Sequence, residues 1–162
     1  MGIIIVRIVM LAAAAGAGLA FGPSLGFHAT NYWLAGAGFL FGVLAVLEKR
    51  VGFPLQSQDV FVNVAGGGRV AEPAADLGVV VAAASSYLDR PVRGDTVVMG
   101  EVGLAGEVRA VAGLAVRLKE AAALGFAAAV VPQNNLAADT VPPLEVHGVG
   151  SVEEAVKALL GH

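Results

Sequence analysis

The sequence contains no cysteine among its 162 residues, and one long stretch lacks charged side chains almost completely. Without cysteine the chain can form no disulfide scaffold, no zinc–thiolate site and no cysteine nucleophile. Arg7 is the only charged residue in positions 1–47, whereas the other 22 charges lie from Glu48 onward. Because a soluble domain needs solvated side chains over its surface, this break predicts two unlike segments, residues 1–47 and 48–162.

The first segment contains two apolar runs whose lengths approach that of a membrane span. Ile3–Phe21 has 19 residues interrupted only by Arg7, and Tyr32–Leu47 has 16 residues without a charge. A transmembrane helix needs about 20 apolar residues. The pattern favours a two-helix hairpin over residues 3–47, anchored in the inner membrane, with the C-terminal domain in the cytoplasm.

Three other interpretations of this segment stay open. The stretch Ala12–Ala20 offers the small residues of a signal-peptide cleavage site, although the residues before it carry little positive charge. A buried hairpin of a soluble protein also fits. So does an apolar segment without an evolved role, left by a truncated or rearranged gene.

The second segment alternates short β-rich runs with helical patterns, which predicts a single domain of the α+β class. The predicted strands are Asp59–Val64, Thr96–Gly100, one entered through Gly106–Arg109, Ala128–Val131 and Leu144–His147. The predicted helices are Ala74–Leu88, Gly113–Leu124 and a last one that ends at Leu160. Pro73 suits the first turn of the first helix. Ser151 and Glu154 have the spacing of a capping box for the last one.

The residues offer no motif for a metal, a cofactor or a nucleophile. Gly66–Gly68 lacks the lysine and Ser/Thr of a phosphate loop, so it predicts a turn. Metal-ligand spacing is absent from the three histidines, His28, His147 and His162. Ser85 and Ser86 lie within a predicted buried helix, where a hydroxyl usually bonds a carbonyl one turn earlier. We expect Asp76 and Glu101 to accept hydrogen bonds from backbone N–H groups, and we expect no cofactor.

Several strings of the second segment identify a family. QDVFVNV (residues 58–64), GEVGLAGE (residues 100–107) and RLKEAAALGFAAAVVP (residues 117–132) closely resemble the C-terminal domain of the bacterial RadA (Sms) DNA repair family. The resemblance covers residues 44–160. It implies the fold of the Lon proteolytic domain, which is also the type of domain 2 of ribosomal small-subunit protein five. Family members also carry a four-cysteine zinc finger and an ATPase core, and this sequence contains neither motif.

The resemblance also locates the two positions that form the Lon serine–lysine dyad. The serine position falls on Ala74, within Pro73–Asp76, and the lysine position falls on Ala115, within Ala112–Ala115. An alanine can act neither as a nucleophile nor as a base. The resemblance therefore implies a pseudoprotease domain without enzymatic activity.

The same resemblance implies partners. The first is a second copy of the chain in a homo-oligomeric ring, with a hexamer as the form to test. The others are DNA, contacted in recombinational repair, and a separate RadA-like ATPase. Residues 51–162 carry seven Lys/Arg against twelve Asp/Glu, a balance that argues against tight DNA binding by one copy. Weak sites repeated around a ring would add together. The candidate DNA contacts are Lys49, Arg50, Arg69, Arg90 and Arg93, with Arg50 and Arg69 ranked first. The alternative is a membrane-anchored interaction domain that does not bind DNA.

Overall fold

Helices and strands alternate along the chain in a computed structural model, which describes residues 3–8, 42–55, 59–64, 72–136 and 144–161. The strands are β1 (Ile3–Ile8), β2 (Asp59–Val64), β3 (Thr96–Val98), β4 (Glu101–Val102), β5 (Val108–Arg109), β6 (Ala128–Pro132) and β7 (Glu145–Val149). The helices are α1 (residues 42–46, continued by the π-helical turn Leu47–Val51), α2 (Asp76–Leu88), α3 (Leu114–Ala123) and α4 (Val152–Leu160). Single 3-10 turns occupy Pro73–Ala75 and Gln133–Asn135. The mixture confirms the predicted α+β class.

A three-stranded parallel sheet lies at the centre, in the order β3-β6-β7. Every residue of β6 is buried, as expected of a parallel strand covered on both faces. Strands β1 and β2 form a parallel pair with Ile3 opposite Asp59. Strands β4 and β5 form an antiparallel hairpin with Glu101 opposite Arg109.

Two clusters of buried side chains cover the two faces of this sheet. Val130 belongs to the first cluster, which also holds the buried residues of α1, α2 and α4. Its neighbours Ala129 and Val131 belong to the second cluster, which holds the buried residues of α3. Because successive side chains of a strand point to opposite faces, the two clusters lie on opposite sides of β6. We call them the α2–α4 cluster and the α3 cluster.

Local signals place α2 and α4 close to the predicted bounds. Pro73 opens the 3-10 turn that leads into α2, and the helix ends at Leu88 as predicted. The capping box of α4 is present: the Ser151 hydroxyl accepts the Glu154 N–H at 3.2 Å. The Glu154 carboxylate accepts the N–H of Gly150, one residue before the cap, at 2.7 Å.

The expected backward hydrogen bond of Ser85 is wrong. Its hydroxyl donates forward to the Arg90 carbonyl oxygen at 2.5 Å. Asp89 has the left-handed backbone conformation, with φ of 51°, which turns the chain at the end of α2. This turn brings the Arg90 carbonyl oxygen to Ser85, so the hydroxyl satisfies an acceptor beyond the helix.

Strand β3 is shorter and more exposed than predicted, because Gly100 at its predicted end makes contacts away from the sheet. It ends at Val98 and its residues are half-buried. The Gly100 N–H donates to the Ala74 carbonyl oxygen at 2.8 Å, and the Gly100 carbonyl oxygen accepts the Leu77 N–H at 2.9 Å. This segment therefore holds the start of α2. At the other edge of the sheet, β7 runs to Val149, two residues beyond its predicted end.

The end of the apolar first segment packs into the domain. Val43, Val46 and Leu47 are buried in the α2–α4 cluster, and the Phe53 ring stacks on Tyr87 of α2 with 4.7 Å between centroids. The packed domain thus extends at least as far back as Val43.

The membrane hairpin predicted over residues 3–47 falls largely outside the described residues, which omit 9–41. Where the first predicted helix begins, the structure has strand β1, which pairs with β2 through backbone hydrogen bonds. No helix among the described residues has both the length and the apolar character needed to cross a bilayer.

Candidate functional site

The two positions that the resemblance assigns to the Lon dyad lie on elements that meet at the α3 cluster. Ala74 is buried in the 3-10 turn before α2, and it shares that cluster with Leu114, the neighbour of Ala115 in the first turn of α3. An ion pair spans the same two elements, with 3.3 Å between the Arg117 guanidinium and the Glu72 carboxylate. The methyl groups of the two alanines offer no nucleophile and no proton acceptor at these positions.

Two of the candidate DNA contacts already bind other groups of the protein. The Arg90 guanidinium donates to the carbonyl oxygens of Leu160 at 3.0 Å and Gly161 at 3.3 Å, so it caps the C-terminus of α4. Arg93 makes two hydrogen bonds to Asp95, at 3.1 and 2.7 Å, and this pairing holds the pKa of Asp95 below its usual value. A DNA phosphate would have to compete with these partners.

Lys49 and Arg50 differ from Arg90 and Arg93 in their partners. Both are exposed in the last turn of the π-helical segment after α1, and neither forms an ion pair with a described residue. The stem of Arg50 lies over the tip of the β4–β5 hairpin. A Cβ atom on Gly106 would lie 2.9 Å from the Cγ atom of Arg50, and Gly106 has φ of 82°. Arg69 and the turn Gly66–Gly68 lie outside the described residues.

An acidic pair with one arginine occupies the β4–β5 hairpin. Arg109 binds Glu107, the residue just before its strand, and reaches Glu101 across the hairpin at 3.4 Å. The backbone N–H of Glu107 and the Arg109 guanidinium lower the pKa of the Glu107 carboxyl. The sequence analysis missed this network, although opposite charges facing each other across a hairpin are a known stabilising pattern.

A pocket of about 120 Å³ opens between α1, the start of α2 and this hairpin. It is lined by Gly42, Val43, Val46, Asp76, Val102, Gly103 and Leu104. The Val102 N–H donates to the Asp76 carboxylate at 3.4 Å, which confirms the expected backbone contact. Burial raises the pKa of Asp76 above its usual value, the Val102 hydrogen bond opposes this, and the nearby Glu101 charge adds to it. We call this the Asp76 pocket.

The raised pKa of Asp76 predicts a pH-dependent effect on stability. The folded state holds the Asp76 proton more tightly than the unfolded state, so ionised Asp76 costs stability at neutral pH. That cost disappears as the pH falls through the folded pKa to the ordinary value of 3.8. We expect Asp76→Asn, compared with the unsubstituted protein by urea unfolding at pH values from about 4 to 7, to stabilise most at the upper end. A stabilisation that does not vary with pH would contradict this cause.

The histidine that the structure describes has an ordinary surface partner. His147 is exposed on β7 with its Nε2 atom 3.2 Å from the Glu145 carboxylate. No group of three or more potential metal ligands occurs in the part of the chain that the structure describes. His28 and His162 lie outside it.

Comparison with known proteins gives a family match over the part of the chain that packs into the domain. A family model described as "Subunit ChlI of Mg-chelatase" matches residues 42–135, more than half of the chain. The chain belongs to the ChlI family. The matched range of the ChlI family begins at Gly42, in agreement with the burial of Val43, Val46 and Leu47.

Curated relatives share the name "DNA repair protein RadA". The Halalkalibacterium halodurans protein is 50% identical over 120 residues, and the Bacillus subtilis protein is 49% identical over 120 residues. Both alignments cover 74% of this chain and 26% of the relative. The Synechocystis protein is 44% identical over 121 residues, 75% of this chain and 24% of the relative. The resemblance drawn from the sequence is thus confirmed: this ChlI-family chain has a RadA-like domain and spans about a quarter of the length of these relatives.

Proposed function

We propose that this chain provides a non-catalytic, Lon-like domain that works in recombinational DNA repair as an oligomerisation scaffold and a DNA contact. The observation that carries this proposal is the 44–50% identity to proteins named DNA repair protein RadA over about three quarters of the chain. The proposal also includes a separate RadA-like ATPase as a partner. The proposal places the domain in the cytoplasm.

The assignment as a pseudoprotease rests on the alanines at both dyad positions. Ala74 and Ala115 lie on elements that the Glu72–Arg117 ion pair joins, so these elements remain together without the catalytic side chains. The parallel sheet flanked by helices on both faces supports the Lon-like fold. In this proposal the domain keeps the packing of these elements and lacks the two catalytic side chains.

The DNA contact is assigned to the cations that the fold leaves accessible. Among the candidates with described side chains, Lys49 and Arg50 are exposed and form no ion pair with a described residue, whereas Arg90 and Arg93 already bind other groups. Two adjacent cations at the end of one helical segment can each neutralise one phosphate. Arg69 remains a candidate from the sequence.

We expect charge reversal of these cations to weaken DNA binding and to reduce its dependence on salt. For single-stranded DNA, the slope of log K against log salt changes by about 0.7 for each phosphate contact that is lost. The variant Lys49→Glu/Arg50→Glu should therefore bind single-stranded DNA more weakly in fluorescence anisotropy, with a slope shallower by about 1.4. Arg69→Glu should shift the slope in the same direction.

The matched control is Lys157→Glu, which reverses one exposed cation on α4. It should bind DNA with the affinity and salt slope of the unsubstituted protein. Equal weakening by the control would indicate an effect of net charge alone. An unchanged slope in the double variant would remove Lys49 and Arg50 from the DNA contact.

A further inference from the structure

The Asp76 pocket contains a carboxylate that has no cation partner in the part of the chain that the structure describes. The Asp76 oxygens accept the long hydrogen bond from Val102, and no described Lys, Arg or His forms an ion pair with them. The Glu101 charge acts on the Asp76 carboxylate and repels it. A half-buried carboxylate in this state gains more from an incoming cation than a solvated one does, because part of its hydration is already lost.

The walls and the rim of the pocket are apolar. Val43, Val46 and Val102 line it beside the carboxylate. Leu104, at the tip of the β4–β5 hairpin, is 82% exposed, although leucine is usually buried. Apolar walls around a single carboxylate fit a lysine, whose methylene stem packs against apolar surface while its ammonium group reaches the charge.

Helix α3 carries a lysine, Lys119, whose neighbours at helical spacing are apolar. Lys119 is exposed and has no ion pair with a described residue. The residues three and four positions away, which face the same side of a helix, are all apolar: Ala115, Val116, Ala122 and Ala123. Val116 is 62% exposed. Lys119 therefore lies on an apolar, solvent-facing surface with no acidic neighbour at helical spacing.

The other described lysines fit the pocket less well. Lys157 on α4 has Glu153 and Glu154 four and three residues before it, and these acids would repel a pocket that contains Asp76 and Glu101. Lys49 directly follows α1, and α1 itself forms one wall of the same pocket, so Lys49 does not lie on a separate surface. Charge and apolar surface thus both favour Lys119.

We propose that the Asp76 pocket receives the Lys119 side chain of a second copy of this chain, with Leu104 of the first copy packed against Val116 of the second. This inference rests on the oligomeric scaffold of the proposed function and identifies the two surfaces that build it. The pocket lies beside the α2–α4 cluster, whereas α3 packs on the opposite face of the sheet. The contact is therefore head-to-tail, and it closes into a ring or extends as a filament according to the rotation between copies.

The test is a charge swap on the full chain, measured by sedimentation velocity over a concentration series. Asp76→Lys places a cation in the pocket opposite Lys119, and Lys119→Asp places an anion on α3 opposite Asp76. Each variant alone should associate at least about tenfold more weakly than the unsubstituted protein, because like charges then face each other. An equimolar mixture should regain association, because every contact in it joins opposite charges when the two variants alternate.

Lys157→Asp is the matched control, with the same change of charge as Lys119→Asp on another helix, and its association should be unchanged. If Asp76→Lys does not fold, Asp76→Asn keeps the shape of the side chain. Asp76→Asn should then weaken association, and Lys119→Gln added to it should weaken association no further.

Two negative results have different meanings. If the unsubstituted protein assembles and the charge-swap variants assemble equally well, or if the mixture of weakened variants does not recover, the pocket contact is overturned and the scaffold stands. If the unsubstituted protein is monomeric throughout the concentration series, the oligomeric scaffold of the proposed function fails, and this inference fails with it.

Discussion

Replacing Leu118 with alanine is expected to lower the free energy of unfolding by about 2–5 kcal/mol. Leu118 is 1% exposed and lies in the α3 cluster, where it packs with side chains from the sheet and from the turn that carries Ala74. Truncation removes buried methyl and methylene groups and leaves a cavity that the rigid sheet closes only in part. Because α3 is ten residues long, tertiary packing provides most of its stability.

Leu124→Ala is the matched control for this prediction. Leu124 caps the C-terminus of the same helix and is 56% exposed, so the identical change should alter stability by less than about 0.5 kcal/mol. Chemical denaturation of both variants at one protein concentration provides the comparison. A loss at Leu118 no larger than the loss at Leu124 would show that α3 is not held by the buried leucine.

The elements that the sequence predicted best are those with local signals. Pro73 marks the entry to α2, Ser151 with Glu154 marks α4, and Gly125 follows α3 with φ of 90°. Strand β2, Asp59–Val64, matches its predicted bounds because β-branched and aromatic residues fill it and glycines follow. In each case the decisive residues are within a few positions of the element that they define.

The features that the sequence did not predict depend on contacts between distant positions. Gly100 leaves the β3 strand to bond Ala74 and Leu77, more than twenty residues earlier. Arg90 caps α4 through Leu160, seventy residues away, so it could be identified from the sequence only as a solvated cation. The periodicity of a single segment contains no information on such pairings.

The candidate site divides in the same way. The resemblance assigns Ala74 and Ala115 to the dyad positions because motif residues surround both, and this assignment stays a prediction. The Asp76 pocket could not be predicted from the sequence, because its lining comes from α1, α2 and the β4–β5 hairpin. The apolar character of residues 42–47 indicated a membrane segment, whereas Val43, Val46 and Leu47 serve as core. Hydropathy alone does not distinguish lipid from protein as the surrounding of a short apolar run.

The Asn135 side chain should be the polar group on which the position of α3 depends most. Its Oδ1 atom accepts the Val111 N–H at 2.6 Å, and its Nδ2 atom donates to the Val111 carbonyl oxygen at 3.0 Å. This amide thus satisfies both backbone groups of a buried residue that lies outside the strands. Asn135→Ala leaves both groups without these partners, and we expect a loss of about 1–3 kcal/mol.

Asn134→Ala is the natural control, since Asn134 is the exposed neighbour in the same 3-10 turn. It should change stability by less than about 0.5 kcal/mol. Hydrogen exchange adds a local readout, because the Val111 amide should lose protection in Asn135→Ala and keep it in Asn134→Ala. Val111 lies three residues before Leu114, so a loosened Val111 also loosens the start of α3 and the surface that carries Lys119. Equal protection of Val111 in both variants would mean that the backbone of this segment is held by its apolar packing alone.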